Sequence, residues 1–323
     1  MSESPVKFET TVSPEDEGTR FDVFLSSQLE DRSRSSLKKL IDEGTATVDG
    51  GQVRSSHKLR AGEKISVEFS VSDDDRFEPE DIPLDIVFED DYLAVINKPD
   101  GMVVHPGAGV SGGTLANAVA YHFGLSTEDA EDDRKNRVGI VHRLDRETSG
   151  LIVVAKNSIT QDRLSEQFAS RKVSKSYVAL VHGFVRRLSG KIDAPIARDR
   201  KNRVKMAVDK NGRNALTFYK VRQRFERFTL LELDIRTGRT HQIRVHTAYI
   251  KHPVVSDTVY NEGRDNTIPD AQVRKAVREM GRFFLHSEKL EITHPVTKKG
   301  MSFEVPLPEE LIVLLTMIRE KGL

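Results

Sequence analysis

Between Val71 and Pro83 the chain reads Ser72-Asp73-Asp74-Asp75-Arg76-Phe77-Glu78-Pro79-Glu80-Asp81-Ile82-Pro83, acid and proline with little apolar content. A stretch of that make-up marks a linker, so the 323 residues are expected to divide there. The expected parts are a flexible N-terminus at 1–16, a small module at 17–70, an acidic linker at 71–83 and a large domain at 84–323. Their lengths suit one small and one large domain.

Composition limits the chemistry. The 50 basic and 50 acidic residues cancel, so the distribution of charge has to decide whether the chain meets nucleic acid. Cysteine is absent, which rules out disulfides, thiolate metal sites and cysteine nucleophiles and fits a reducing compartment. Met1 to Thr11 is polar and acidic, unlike a secretory signal, and no later apolar run approaches the ~20 residues of a membrane span. The expectation is a cytoplasmic protein without membrane contact.

In the small module, Phe21, Phe24, Leu25 and Leu29 fall at helical spacing. A second helix opens at Ser33 or Arg34, carries Leu37, Leu40 and Ile41 inward, and ends at Gly44. Ala46-Thr47-Val48, a turn at Asp49-Gly50-Gly51 and Gln52-Val53 read as a hairpin, and Ile65 to Phe69 as a last strand. The second helix leaves Arg34, Lys38 and Lys39 outward, with Arg32, Lys58 and Arg60 close in sequence. Such a group can track phosphates, or it can be a solvated face.

The large domain opens with a hairpin, Ile86 to Phe88 and Leu93 to Ile96. Gly107-Ala108-Gly109-Val110-Ser111-Gly112 matches G-x-G-x-x-G formally, but that fingerprint needs a strand running directly into its first glycine. His105-Pro106 interrupts the entry, so no nucleotide cofactor is expected. Ser158 caps a helix through Arg171, and Lys175 to Gly183 and Phe228 to Ile235 read as strands. Further strands are expected at Phe283 to His286 and Leu290 to Thr293, and a closing helix at Pro308 to Glu320.

Gly139 to Lys156 places Asp145 between Arg143 and Arg146, in a polar loop joining two short β-branched runs suited to strands. A carboxylate held from both ends has a fixed position. With a free-solution pKa of about 4 and arginines beside it, Asp145 is expected to be ionised, a candidate nucleophile or base. Alternatively it is a turn residue paired with Arg143 or Arg146. From Ala194 to Arg224 the chain turns basic, with Arg198, Arg200, Lys201, Arg203, Lys205, Lys210 and Arg213 in its first part, and reads as a phosphate-facing edge. His241 and His246 suggest a metal, yet no further ligand is suitably spaced, so no metal is expected.

His142-Arg143-Leu144-Asp145 followed by Thr148-Ser149-Gly150 resembles the signature loop of the RluA/RluD family of pseudouridine synthases. The resemblance continues through Asn97-Lys98-Pro99, Val104-His105-Pro106-Gly107-Ala108-Gly109, Lys175-Ser176-Tyr177, Gly238-Arg239-Thr240-His241-Gln242-Ile243-Arg244-Val245-His246, Leu285-His286 and His294-Pro295. Arg20-Phe21-Asp22, Ser33-Arg34-Ser35-Ser36 and the glycine turn at Asp49-Gly50 resemble the S4 RNA-binding module.

The resemblance implies an α+β protein, an S4-like module followed by a mixed, mainly antiparallel-sheet catalytic domain. It implies an RNA pseudouridine synthase of the RluD-like branch, working without cofactor on a stem-loop of large-subunit (23S) ribosomal RNA; a monomer is expected. It makes Asp145 catalytic, Tyr177 a ring against the target base and Arg244 the partner of Asp145. Arg143, Lys205, Arg239 and His241, with Arg34, Lys38 and Lys39, are then the RNA-binding candidates. Ser256 departs from the Gly-Asp usual before Thr258, which puts the local backbone shape in question. Two rivals are an RNA-binding assembly factor of little activity on the same fold and a carboxylate glycosidase, which needs a second acid at a set separation.

Overall fold

The computed structural model describes residues 6–29, 34–69, 78–106, 110–124, 139–202 and 205–323, with 6, 34–36, 38, 39 and 69 by their backbone alone. They fall into two units, Met1–Arg76 and Phe77–Leu323.

In the first unit the strands β1 (Val6–Thr11), β2 (Ala46–Val48), β3 (Gly51–Gln52) and β4 (Lys64–Phe69) form an antiparallel sheet in the order β1-β4-β2-β3. The two helices are α1 (Phe21–Gln28) and α2 (Arg34–Glu43). Phe21, Phe24 and Leu25 of the first and Leu37 and Ile41 of the second are buried with Ala46, Ile65 and Val67 of the sheet. The β2–β3 connection has two residues at positive φ, Asp49 at 49° and Gly50 at 77°, the primed turn whose twist matches the flanking strands. Asp49 tolerates that conformation because its short carboxylate finds a local donor, the Lys64 N–H at 2.8 Å.

The second unit begins by bonding its entry segment to a helix. Asn117 Nδ2 donates to the Glu78 carbonyl, Glu80 N–H donates to the Asn117 carbonyl, and Gly113 N–H donates to the Glu80 carboxylate. The end of the expected linker is thus tied to α3 (Leu115–His122), while 71–77 lies outside the described residues. The strands are β5 (Ile86–Glu89), β6 (Leu93–Lys98), β7 (Gly139–Ile140), β8 (Ser149–Ala155), β9 (Ser174–His182), β10 (Ser189–Asp193), β11 (Ile196–Arg198), β12 (Met206–Val208), β13 (Leu216–Arg224), β14 (Phe228–Ile235), β15 (Leu285–Thr293) and β16 (Gly300–Glu304). The main sheet runs β10-β13-β14-β9-β15-β8-β6-β5, with β7 on β8 and β16 on β15; β11 and β12 form a separate hairpin. Within the main sheet the pairing is antiparallel except for β8 with β15, so the α+β, mainly antiparallel architecture is present.

Both faces of the centre are covered. In β8, Ile152 and Val154 pack with Leu115 and Val119 of α3 on one side. Leu151 and Val153 pack on the other with Leu164 of α4 (Ser158–Ala169). That burial on both sides explains a continuous apolar run in place of alternation. The helices α6 (Ala271–Glu279) and α7 (Glu309–Glu320) bury Val273, Val277, Leu311, Leu314 and Ile318 in the same core as α3.

Three local expectations change. The cap of α4 is Asn157, whose side chain accepts from Thr160 N–H at 2.9 Å, and Ser158 is the first helical residue. The two strands expected between Phe283 and Thr293 are one strand, β15, whose register shifts between Ser287 and Lys289. Finally, α5 (Gln242–Tyr249) occupies the second half of the Gly238–His246 motif, which periodicity alone had not marked as helix.

Candidate active site

The loop between β7 and β8 is fastened by residues that alternate with the ones it presents. His142 Nε2 accepts from Val153 N–H at 3.0 Å and its ring stacks on Phe168 with centroids 4.6 Å apart, while Leu144 is buried. Burial, and after it the charge of Lys175, push the His142 pKa down to about 3, so this ring is a neutral acceptor. Arg143 is exposed and Asp145 half-buried. Thr148 N–H closes a turn on the Asp145 carbonyl at 3.1 Å. Past the turn, Gly150 has φ +109°, and a Cβ there would lie 2.2 Å from the Ser287 carbonyl oxygen, so only glycine lets β8 pair closely with β15.

A second set of ties holds the far side of the loop. Lys98, fully buried, donates through Nζ to the carbonyls of Pro99 (2.6 Å), Met102 (2.9 Å) and Arg146 (3.2 Å), and Arg146 Nε donates to the Gly101 carbonyl. Burial, then the nearby Arg282 charge, lower the Lys98 pKa to about 7. Arg282 Nη2 donates to Ser149 Oγ at 2.7 Å, which leaves that hydroxyl to donate to His286 Nδ1 at 2.8 Å.

Asp145 meets Arg244. Arg244 Nη1 donates to Asp145 Oδ2 at 3.1 Å, and among the described residues this is the ion pair Asp145 makes; Arg143 and Arg146 are not its partners. Arg244 is itself clamped from behind. Its Nε and Nη2 donate to the two oxygens of Asp257 at 2.7 and 2.9 Å, and its guanidinium lies over the rings of Phe283 (4.2 Å) and Tyr260 (5.0 Å). Burial opposes the charge, but Asp257 and then Asp145 outweigh it and raise the Arg244 pKa above the ordinary arginine range.

Asp257 is the residue that sequence reasoning missed as part of the site. It is fully buried, and its Oδ1 also accepts from the N–H groups of Val259 and Tyr260. Ser256 before it adopts φ 63°, the left-handed shape a glycine would take most easily. Ser256 N–H donates to Asp265 Oδ1 (3.1 Å) and its hydroxyl to the Val277 carbonyl (2.9 Å), so the shape questioned from sequence is held by hydrogen bonds.

Tyr177 on β9 is buried beside this pair. Burial raises its pKa, the Ser287 hydroxyl acts in the opposite sense, and the Asp145 charge adds to the rise, so the side chain stays a phenol, a donor rather than a base. His241 has Nδ1 2.8 Å from Tyr260 Oη, and the same phenol accepts from Met206 N–H at 2.8 Å. Burial lowers the His241 pKa, opposed by Asp145 and aided by Arg244, so at neutral pH it braces Tyr260 as a neutral ring and offers a phosphate no charge. His246 is fully buried and bonded to Thr217 Oγ1 and the Ala194 carbonyl; among the described residues no group of acids and histidines is arranged to hold a metal ion.

Arg239 Nε donates to the Asn214 carbonyl, Lys205 lies 6.0 Å over Tyr260, and Arg34, Lys38 and Lys39 have side chains outside the description. Asp145, Arg244, Tyr177, Arg143, Arg239 and His241 all line one cavity of about 900 Å³, to which Lys205 does not contribute. Among the described residues Asp145 is the one carboxylate in that lining, which also carries Arg143, Arg171, Lys175, Arg236 and Arg239. Such a cavity suits a polyanion whose reacting part reaches one carboxylate.

A family model described as RNA pseudouridylate synthase matches residues 92–249. The chain is 42% identical over 306 residues to a protein of Xanthomonas campestris pv. campestris named Ribosomal large subunit pseudouridine synthase D, covering 94% of this chain and 90% of that one. It is 38% identical over 316 residues to the Uncharacterized RNA pseudouridine synthase YlyB of Bacillus subtilis, covering 98% and 99%. In fold it resembles the solved structure of Human RNA Pseudouridylate Synthase Domain Containing 1, with a TM-score of 0.54 and 24% identity over 73% of this chain and 95% of that one.

Proposed function

As the chain belongs to the RNA pseudouridylate synthase family and is an isomerase acting on RNA, we propose that it converts uridines in a stem-loop of large-subunit ribosomal RNA to pseudouridine, with Asp145, Arg244 and Tyr177 as its catalytic set. The observation that carries the assignment of residues is the Asp145–Arg244 pair, inside a cavity whose lining holds no other carboxylate among the described residues. The ribosomal target rests on the names of relatives such as the Xanthomonas protein.

The reaction breaks the N1–C1′ bond, turns the freed uracil and joins C1′ to C5. The C5 proton leaves and N1 ends protonated, so atoms balance without an electron or phosphate donor. Asp145 starts the process at the base or sugar of a uridine swung out of its stack. Arg244 keeps it ionised once RNA has displaced water, and Asp257 keeps Arg244 aimed at it. Extrusion of a base costs on the order of a few kcal/mol, and stacking on an aromatic ring returns about 1–3 kcal/mol, the part we assign to Tyr177. Arg143, exposed next to Leu144, holds the opened strand. The first unit is assigned as an S4-like RNA-binding module, with its α2 cations on phosphate.

The test is to map pseudouridines in ribosomal and transfer RNA from cells with and without the protein, then to assay Asp145→Asn on the RNA so identified. Loss of isomerisation with affinity kept within severalfold is expected; pseudouridine formed by the variant overturns the role of Asp145. A chain lacking residues 1–70 should bind the same RNA more weakly and with a shallower salt dependence. An unchanged slope would remove the first unit from the phosphate contacts.

A further inference from the structure

Lys175 lines the cavity as a half-buried cation for which, among the described residues, no carboxylate balances the charge. It stands two residues before Tyr177 on β9, so both side chains leave the same face of the strand, about 7 Å apart along it. Pairing of β9 with β14 extends to Ser176 opposite Asp234, and beyond that point the neighbouring chain passes into the Arg236–His241 segment. Lys175 therefore emerges where the sheet opens into the cavity. Its Nζ sits 5.3 Å over the Phe168 ring, which on its other contact stacks with His142, and 3.8 Å from where a Cβ on Gly238 would be. Among the described residues it has no ion pair, and Asp145 is already bonded to Arg244.

An ammonium half removed from water with only a ring face beside it is unfavourable in the free protein. Burial alone lowers its pKa to about 8, so at neutral pH it is still mainly charged. The packing of Phe168 and His142 holds it there instead of letting it reach solvent, which is the arrangement expected when a ligand supplies the missing anion. We propose that Lys175 binds the phosphodiester flanking the flipped uridine, fixing the sugar while Tyr177 carries the base. A full negative charge suits an unpaired cation better than the dipole of a uracil carbonyl does, and the spacing along β9 separates phosphate from base as one nucleotide does. This rests on the reading of the cavity as the uridine site.

The test pairs protein and RNA changes. With the full chain and a large-subunit ribosomal stem-loop that it binds, affinity and single-turnover rate are measured for wild type, Lys175→Arg and Lys175→Met. Each is assayed with ordinary RNA and with RNA carrying a neutral methylphosphonate on the 5′ or the 3′ side of the target. Lys175→Met is expected to weaken binding on the order of tenfold with the rate at saturation little changed, and to lower the salt slope by about one, while Lys175→Arg retains binding. One of the two methylphosphonates should weaken wild type by a similar factor and leave Lys175→Met unaffected. Equal losses on both proteins from each of the two methylphosphonates, or a lost rate with unchanged affinity, overturn the proposal; the latter assigns Lys175 to the base. Thermal unfolding of each variant separates a folding defect from a binding one, and the non-additivity with methylphosphonate is read only on folded protein. Absence of turnover by wild type on any RNA would instead sink the uridine reading, because affinity is read without turnover.

Discussion

At the scale of single residues, the site works by stacking constraints on one guanidinium. Arg244 is buried, and its charge is tolerated because Asp257 takes two of its N–H groups and Asp145 a third. Asp257→Asn should therefore harm more than Asp145→Asn does structurally. It leaves a buried arginine with half its counter-charge, and breaking such a pair costs about 3–5 kcal/mol. A lowered unfolding midpoint together with a lost isomerisation rate is expected. A variant of wild-type stability and rate would mean that Asp145 alone suffices to hold Arg244. Sequence wording pointed to Asp145, Tyr177 and Arg244, and the three do line one cavity. It gave Asp257 no role in the site, because an acid after a short apolar run looks like any turn residue until the fold brings it against an arginine.

At the scale of elements, the Ser256–Tyr260 turn shows how a departure from a usual glycine is absorbed. Ser256 at φ 63° is held by the Asp265 carboxylate on its N–H and by its own hydroxyl on the Val277 carbonyl. Ser256→Gly removes the left-handed strain and one hydrogen bond, each worth about 1 kcal/mol, so stability and rate should stay near wild type. Ser256→Val places a β-branched residue in a region it rarely adopts and loses the bond; a fall of roughly 2–3 kcal/mol and a reduced rate are expected from denaturation and turnover assays. Tolerance of valine would show that the turn relaxes without moving Asp257. Neither the register shift in β15 nor the start of α5 could be read from periodicity. The first depends on Ser287 and Lys289 meeting β9, and the second follows His241, which enters the helix at φ 56°.

For the molecule as a whole, charges and rings buried behind the site set its response to acid. His286, fully buried, accepts from Ser149 Oγ, and burial lowers its pKa to about 4, below an unfolded value of about 6.5. Above pH 6.5 both states are neutral and the contribution to stability is intact. As pH falls toward 4 the unfolded chain takes up a proton that the folded one refuses, and stability drops by up to about 1.4 kcal/mol per pH unit. The unfolding midpoint of His286→Gln should fall less steeply than that of wild type across this window; parallel curves would show that His286 does not carry the linkage. Legible in the residues were the change of composition at the acidic stretch, the α+β class, the Asp145 loop and the family it resembles, because those are properties of composition, local spacing and wording. Folding alone set Asp257 against Arg244 and His241 against Tyr260, and left Lys175 without an ion pair among the described residues. Each of these depends on which side chains from distant segments share a low-dielectric space, and no local spacing encodes that proximity.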